Sequence, residues 1–161
     1  MLNELDPTDI GILKLLQDNS RLTNLQIGKA ISKSPSSVYQ RIKKMQDQGY
    51  ILKYGAVLDN NKIDRGLVAF THVQLKDHSQ ESLRTFESQI ILSPEVLECY
   101  HMSGMYDFIL RVAVKDLNTY HDFLMNKLFG FMAVGNVQST FVMKEAKSET
   151  AFPIMPEKSR K

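Results

Sequence analysis

The densest group of side chains able to do chemistry lies between Ser34 and Gly49. Over Ser36-Ser37-Val38-Tyr39-Gln40-Arg41-Ile42-Lys43-Lys44, hydroxyls, an amide and cations are interleaved with apolar residues at helical spacing. Val38, Ile42 and Met45 step by four and three along one face. Ser36, Ser37, Tyr39, Gln40, Lys43 and Lys44 lie off that stripe, with Arg41 towards its edge. Such a surface offers cations for phosphates and hydrogen-bonding groups for base edges, the combination that reading a duplex requires. A second group, Ser103-Gly104-Met105-Tyr106-Asp107, has different chemistry. Gly104 leaves backbone amides approachable, and the Asp107 carboxylate can pair with an amino group. The same residues also suit a plain hairpin turn, in which Gly104 supplies a positive φ and Asp107 ends a strand.

Other reactive types carry less. Cys99 is the only cysteine, which excludes an intrachain disulfide and a cysteine-based zinc site and fits a reducing compartment. Cys99 and His101 alternate on one expected strand, but no third group orients them for nucleophilic work, and Cys99 reads as a small buried hydrophobe. His72, His78, His101 and His121 lack close metal-ligand spacing, so no metal and no cofactor are expected. Most of the eight methionines read as core filling, with Met105 at the turn the exception.

The elements that must position these groups begin with three helices. Asp6-Pro7-Thr8-Asp9 starts one, with Asp6 as cap, Pro7 in the first turn and Asp9 at the positive dipole end; Ile10, Leu13 and Leu16 form its apolar face. Thr23 and Gln26 form a capping box for a short second helix, in which Gly28 allows a close helix approach. Ser32-Lys33 makes a tight connection, and Ser34-Pro35 opens a third helix that Gly49 stops. A short helix, a tight turn and a longer helix with a polar, basic outer face describe a helix-turn-helix whose second member would enter a DNA major groove. Tyr50-Ile51-Leu52 and Ala56-Val57-Leu58, bent at Gly55, are expected to form a small β-wing.

Charge distribution favours that reading over a plain helical bundle. The 161 residues carry a net charge of only +2, with 43% hydrophobic and 24% charged residues, as in an ordinary folded domain. Yet Arg21 to Lys53 holds seven basic residues against Asp47 alone, whereas Gly66 to Met143 holds five basic and eight acidic. A basic, DNA-sized patch is thus joined to an acidic remainder. The N-terminus lacks a signal-peptide pattern, and no apolar run reaches the ~18 residues of a membrane helix. A cytoplasmic protein without a membrane partner is expected.

From Leu67 the apolar period changes to two. The pattern predicts a strand over 67–75, a helix from His78-Ser79 with Leu83, Phe86 and Ile90 inward, a strand from Val96 to Met102, the turn, and a strand from Asp107 to Val114. A helix capped by Asp116 and a strand from Val137 to Met143 complete the order β-α-β-β-α-β, the ferredoxin-like arrangement. One sheet face then stays bare. It would carry Ile109, Ala113 and Val142 among Arg111, Gln138 and His72, a mixture suited to packing against a second copy.

Four segments together resemble the Lrp/AsnC, or feast/famine, family of transcription regulators: LDPTDIGILKLLQDNSRLTNLQIGKAI, SPSSVYQRIKKMQDQGYI, ECYHMSGMYDFILRVAV and VQSTFVMKEAK. The fold that the resemblance implies is α+β, an N-terminal winged helix-turn-helix (1–53), a β-linker (54–65), a ferredoxin-like βαββαβ ligand-sensing domain (66–147) and a C-terminal tail (148–161). It also implies a recognition helix from Pro35 to Gln48, with Ser36, Ser37, Tyr39, Gln40, Arg41, Lys43 and Lys44 as the DNA-binding residues and Arg41 matching the family's arginine. The effector turn would be Ser103 to Asp107, faced by Ser139 and Thr140 from a neighbouring dimer. Implied partners are a pseudo-palindromic double-stranded DNA operator, an amino acid or related small molecule, and further copies in dimers and multimers such as octamers, with the protein associated with the nucleoid.

Departures qualify the match. Met105 stands where many members are acidic, which leans towards an effector with an apolar side chain. Ser32 and Lys33 replace a glycine and an apolar residue usual at the helix-turn-helix corner. The alternatives are a sirohaem-decarboxylase-like enzyme of the same fold, which would need histidines directed into the cleft, and an architectural DNA-binding protein without an effector.

Overall fold

Asp6, in extended backbone ahead of Pro7, accepts the Asp9 amide at 2.8 Å while Asp9 accepts the Asp6 amide at 3.2 Å. This reciprocal box starts α1 (Pro7–Asp18). Thr23 and Gln26 repeat the device for α2 (Asn24–Ile31), and Ser34 caps α3 (Pro35–Asp47) by accepting the Ser37 amide at 3.2 Å. These helices belong to the first of two units of this computed structural model, which describes residues 5–154; the units are Met1–Val57 with Lys147–Lys161, and Leu58–Ala146.

The first unit packs Ile12, Leu13, Ile27, Val38 and Met45 into one core, with Ile42 and Ile154 against it. At the corner between α2 and α3, Ser32 adopts a left-handed backbone at φ 55. Gly28 serves this corner instead of a helix approach: a Cβ there would stand 2.5 Å from the Lys33 carbonyl oxygen. The two expected wing strands are not formed. Residues 51–59 contain no strand, and Leu52, Val57 and Leu58 are exposed, since an extended segment gains stability only when a neighbouring backbone completes its hydrogen bonds. The tail returns to the first unit, where the Gln17 amide donates to the Phe152 carbonyl at 3.1 Å and accepts its N–H at 2.7 Å. The part of the expected tail beyond Ile154 lies outside the described residues.

In the second unit a short 3-10 helix, Asn60–Ile63, precedes the sheet; part of the expected β-linker is therefore helical. The order is β1 (Leu67–Leu75), α4 (Gln80–Ile90), β2 (Val96–His101), β3 (Phe108–Val114), α5 (Leu117–Asn126) and β4 (Val134–Phe141). The four strands form one antiparallel sheet in the order β2-β3-β1-β4. Strand β4 starts three residues before the expected Val137 because Val134 already pairs with Leu75, past an irregularity at Gln74/Leu75. The core, including Ala69, Val73, Leu110, Phe86, Ile90 and Phe123, lies on the helix-covered face. Within it the Tyr120 hydroxyl lies 2.6 Å from both Thr71 Oγ1 and Ser139 Oγ. Cross-strand pairs Val68/Ala113, Phe70/Arg111, His72/Ile109 and His72/Gln138 define the other face, opposite the two helices. Phe70, Tyr100 and Met102 are exposed on the sheet or its margin.

Candidate functional site

The capped start and buried seam of α3 leave Ser36, Tyr39, Gln40, Lys43 and Lys44 exposed and Ser37 half-buried. Lys43 and Lys44 take part in none of the ion pairs among the described residues. At ~100° per residue, Ser36, Gln40 and Lys43 point most directly away from the Val38/Met45 seam. Cations there have their full charge available to a polyanion, and Gln40 has the donor-acceptor pair that matches adenine.

Arg41 behaves differently from its neighbours. Its Nη1 donates to Asp6 Oδ2 at 2.6 Å and to Asp9 Oδ1 at 2.7 Å, so the guanidinium is engaged by α1. Hydrogen bonds donated by Arg41 to Asp9 and then to Asp6 outweigh desolvation and hold the Arg41 pKa above its ordinary value. For Asp6 desolvation acts upward, but the Asp9 amide and Arg41 together bring its pKa below the ordinary value. The partners lie more than thirty positions away in the chain. The readable signal was the pair of carboxylates at the start of α1, which calls for a cation from elsewhere.

In the second unit the β2-β3 turn is open. Gly104 sits at φ +124 with nothing within 4 Å of where a Cβ would be, and Met105 is 75% exposed. Ser103 is exposed. Asp107 is largely buried: Oδ2 accepts the Leu75 amide at 2.8 Å and Oδ1 lies 2.9 Å from His78 Nδ1. A carboxylate has about four lone-pair directions, so these two contacts leave room for a further donor. The Tyr106 hydroxyl donates to Gln138 Oε1, and its ring lies 5.2 Å from that of His72. His72 Nδ1 is buried without a hydrogen-bond partner among the described residues.

Within one chain the structure does not bring Ser139 and Thr140 to the turn. Ser139 faces the helices and bonds Tyr120, while Thr140 pairs with Phe70 on the face opposite the helices. His78 and Gln138 take their place beside Asp107 and Tyr106. Neither role is visible in the sequence, because His78 precedes a helix and Gln138 sits in a strand with no local cue to the contact. Cys99 is half-buried, and burial, with the Glu87 charge, pushes its thiol pKa up; His101 stacks on Phe108 at 5.1 Å instead of orienting the thiol. Among the described residues no His/Cys/Asp/Glu group could hold a metal ion, and no helix is long and apolar enough to cross a membrane.

Two family models match the chain: a winged helix-turn-helix DNA-binding model over residues 5–51 and the Lrp/AsnC ligand binding domain over residues 68–152. The transcriptional regulator AzlB of Bacillus subtilis is 31% identical over 150 residues, covering 93% of this chain and 96% of that protein. The Bkd operon transcriptional regulator of Pseudomonas aeruginosa is 32% identical over 151 residues, covering 94% and 99%. Among solved structures, a transcriptional regulator of Neisseria meningitidis in complex with L-Met superposes with a TM-score of 0.88 at 35% identity, over 92% of this chain and 96% of that one. An AsnC family regulator of Agrobacterium tumefaciens gives 0.87 at 33%, over 92% and 97%. With α3 outward on three capped helices and an open hairpin turn on a four-stranded sheet, the chain belongs to the Lrp/AsnC family of transcriptional regulators, a winged helix-turn-helix DNA-binding domain followed by a ligand-binding domain.

Proposed function

We propose that α3 reads a pseudo-palindromic operator through Ser36, Ser37, Tyr39, Gln40, Lys43 and Lys44, and that an amino acid bound at the Ser103–Asp107 turn alters that reading by favouring one assembly of copies over another. The observation that carries it is the contrast along α3: Lys43 and Lys44 stand exposed and outside every ion pair among the described residues, while Arg41 is committed to α1. At the turn, the Asp107 carboxylate supplies a negative partner for an ammonium group, and the open space at Gly104 admits a ligand to the backbone. Met105 lends the site an apolar neighbour, which favours an uncharged side chain such as that of methionine or leucine. The sheet face opposite the helices, with Phe70 and Tyr100 exposed, supports dimers; higher multimers such as octamers would give Ser139 and Thr140 a turn from another copy to face. The work belongs in the cytoplasm, on the nucleoid.

The test is selection of bound duplexes from a genomic library, then titration of the winning duplex at several salt concentrations with and without single amino acids. Lys43→Ala or Lys44→Ala should flatten the slope of log affinity against log salt by about 0.9 for each phosphate that the lysine neutralises. Gly104→Val, which cannot hold φ +124 without strain, should abolish the amino-acid response and leave ligand-free DNA affinity intact. Unchanged slopes in both lysine variants would reject the DNA face. No response to any of the twenty amino acids, in binding or in thermal midpoint, would reject the effector and favour an architectural role.

A further inference from the structure

Each carboxylate of the α1 capping box uses one oxygen for the helix start and the other for Arg41. Asp6 Oδ1 and Asp9 Oδ2 accept backbone amides, whereas Asp6 Oδ2 and Asp9 Oδ1 both accept from the single Nη1 of Arg41. The Asp9 side chain is only 9% exposed, so Arg41 is the cationic partner of a nearly buried carboxylate.

The position of Arg41 on α3 gives the contact a mechanical meaning. Helix α3 is anchored in the core by Val38 and Met45, seven residues apart and hence close to one line along the helix. Contacts on one line fix the distance of a helix from its support and leave its roll about that line poorly restrained. Ile42 packs half-buried on one flank of the line. Arg41 lies about 60° round the helix from Val38 on the opposite flank, at ~100° per residue, and therefore resists roll away from Ile42. A roll of about 20° would carry an outward side chain about 2 Å at the helix's outer radius of ~5–6 Å. That exceeds the tolerance of a hydrogen bond to a base edge.

We infer that Arg41, clamped between Asp6 and Asp9, is a positioning residue that sets the roll of α3 and so determines which bases Gln40 and its neighbours meet, without itself touching DNA. This rests on α3 being the reading helix. The position of Arg41 in a basic stretch would otherwise suggest a phosphate contact, and the two roles differ in what they do to salt dependence and to sequence preference.

The discriminating experiment uses the full chain with two duplexes, one selected by the wild-type protein and one of the same composition with scrambled order, each titrated over a range of salt. Arg41→Met and Asp9→Asn are compared singly and together; the asparagine keeps an acceptor for the Asp6 amide. Both single variants should lower the ratio of selected to scrambled affinity at least tenfold, with the salt slope unchanged. The double variant should be no worse than the more affected single one. Arg41→Lys, which restores a cation to the carboxylates, should recover part of the ratio. A variant that merely unfolds in part loses affinity for both duplexes equally and keeps the ratio, an outcome that rejects the positioning role. A salt slope reduced by about one in Arg41→Met, with Asp9→Asn unaffected, would show a phosphate contact instead. A wild-type chain that selects no duplex would overturn the reading of α3 itself, an outcome separate from all of these.

Discussion

Ser32 holds an L side chain at φ 55, a conformation that costs roughly 1–2 kcal/mol outside glycine. Its hydroxyl makes no hydrogen bond among the described residues that would offset the cost. Ser32→Gly should therefore stabilise the first unit by about 1 kcal/mol after the extra chain entropy of glycine is counted, read as a higher denaturant midpoint at constant m. The resemblance to the family marked this position as a corner where glycine is usual. The converse holds at Gly28, whose close neighbour is the backbone of the turn, a contact that the sequence could suggest only as a generic close approach. Arg41 was the harder residue. Its helical phase placed it at the edge of the buried stripe, but which group it would meet depended on α1 and α3 coming together.

At the scale of elements, legibility followed the range of the forces involved. The starts of α1, α2, α3 and α5 were readable because each cap acts within three residues of its own position. The wing strands were not, because Ile51 to Leu58 have the composition of strands but no strand partner among the described residues. Strand β4 was misplaced at both ends for a related reason: its limits follow its register with β1, and Gly135 packs against the Gln74 carbonyl where side-chain alternation gives no warning. Ion pairs that join elements carry a pH signature. Lys127 donates to Glu95 at 2.7 and 2.9 Å; desolvation acts against the Glu95 charge, but Lys127 and a backbone amide outweigh it and depress the pKa. Asp6 in the first unit is depressed as well. A depressed carboxylate stabilises the folded state above its unfolded pKa of about 4, and the contribution disappears as pH falls through the folded value. Thermal midpoints should thus drop below about pH 4, and Glu95→Gln together with Asp6→Asn should flatten that drop. An unaltered acid limb in the double variant would show that other carboxylates dominate it.

On the scale of the whole molecule, the basic helix-turn-helix and the acidic sheet domain were separable from sequence by charge alone, which is why the small net charge was a poor guide to partners. The return of the tail was not readable. Gln17 holds the Phe152 backbone at both ends of its amide, and Ile154 packs against the first core. Deleting residues 147–161 should lower the stability of the helix-turn-helix unit by about 2 kcal/mol, from one partly buried side chain and two hydrogen bonds, while the sheet unit keeps its own transition. Calorimetry resolves the two if they unfold separately. The chain leaves the first unit after Val57 and re-enters it at Lys147, so the ligand-binding unit is topologically an insertion within the DNA-binding one. A single cut anywhere between Leu58 and Ala146 would therefore sever the covalent link between Ile154 and the core that it packs against.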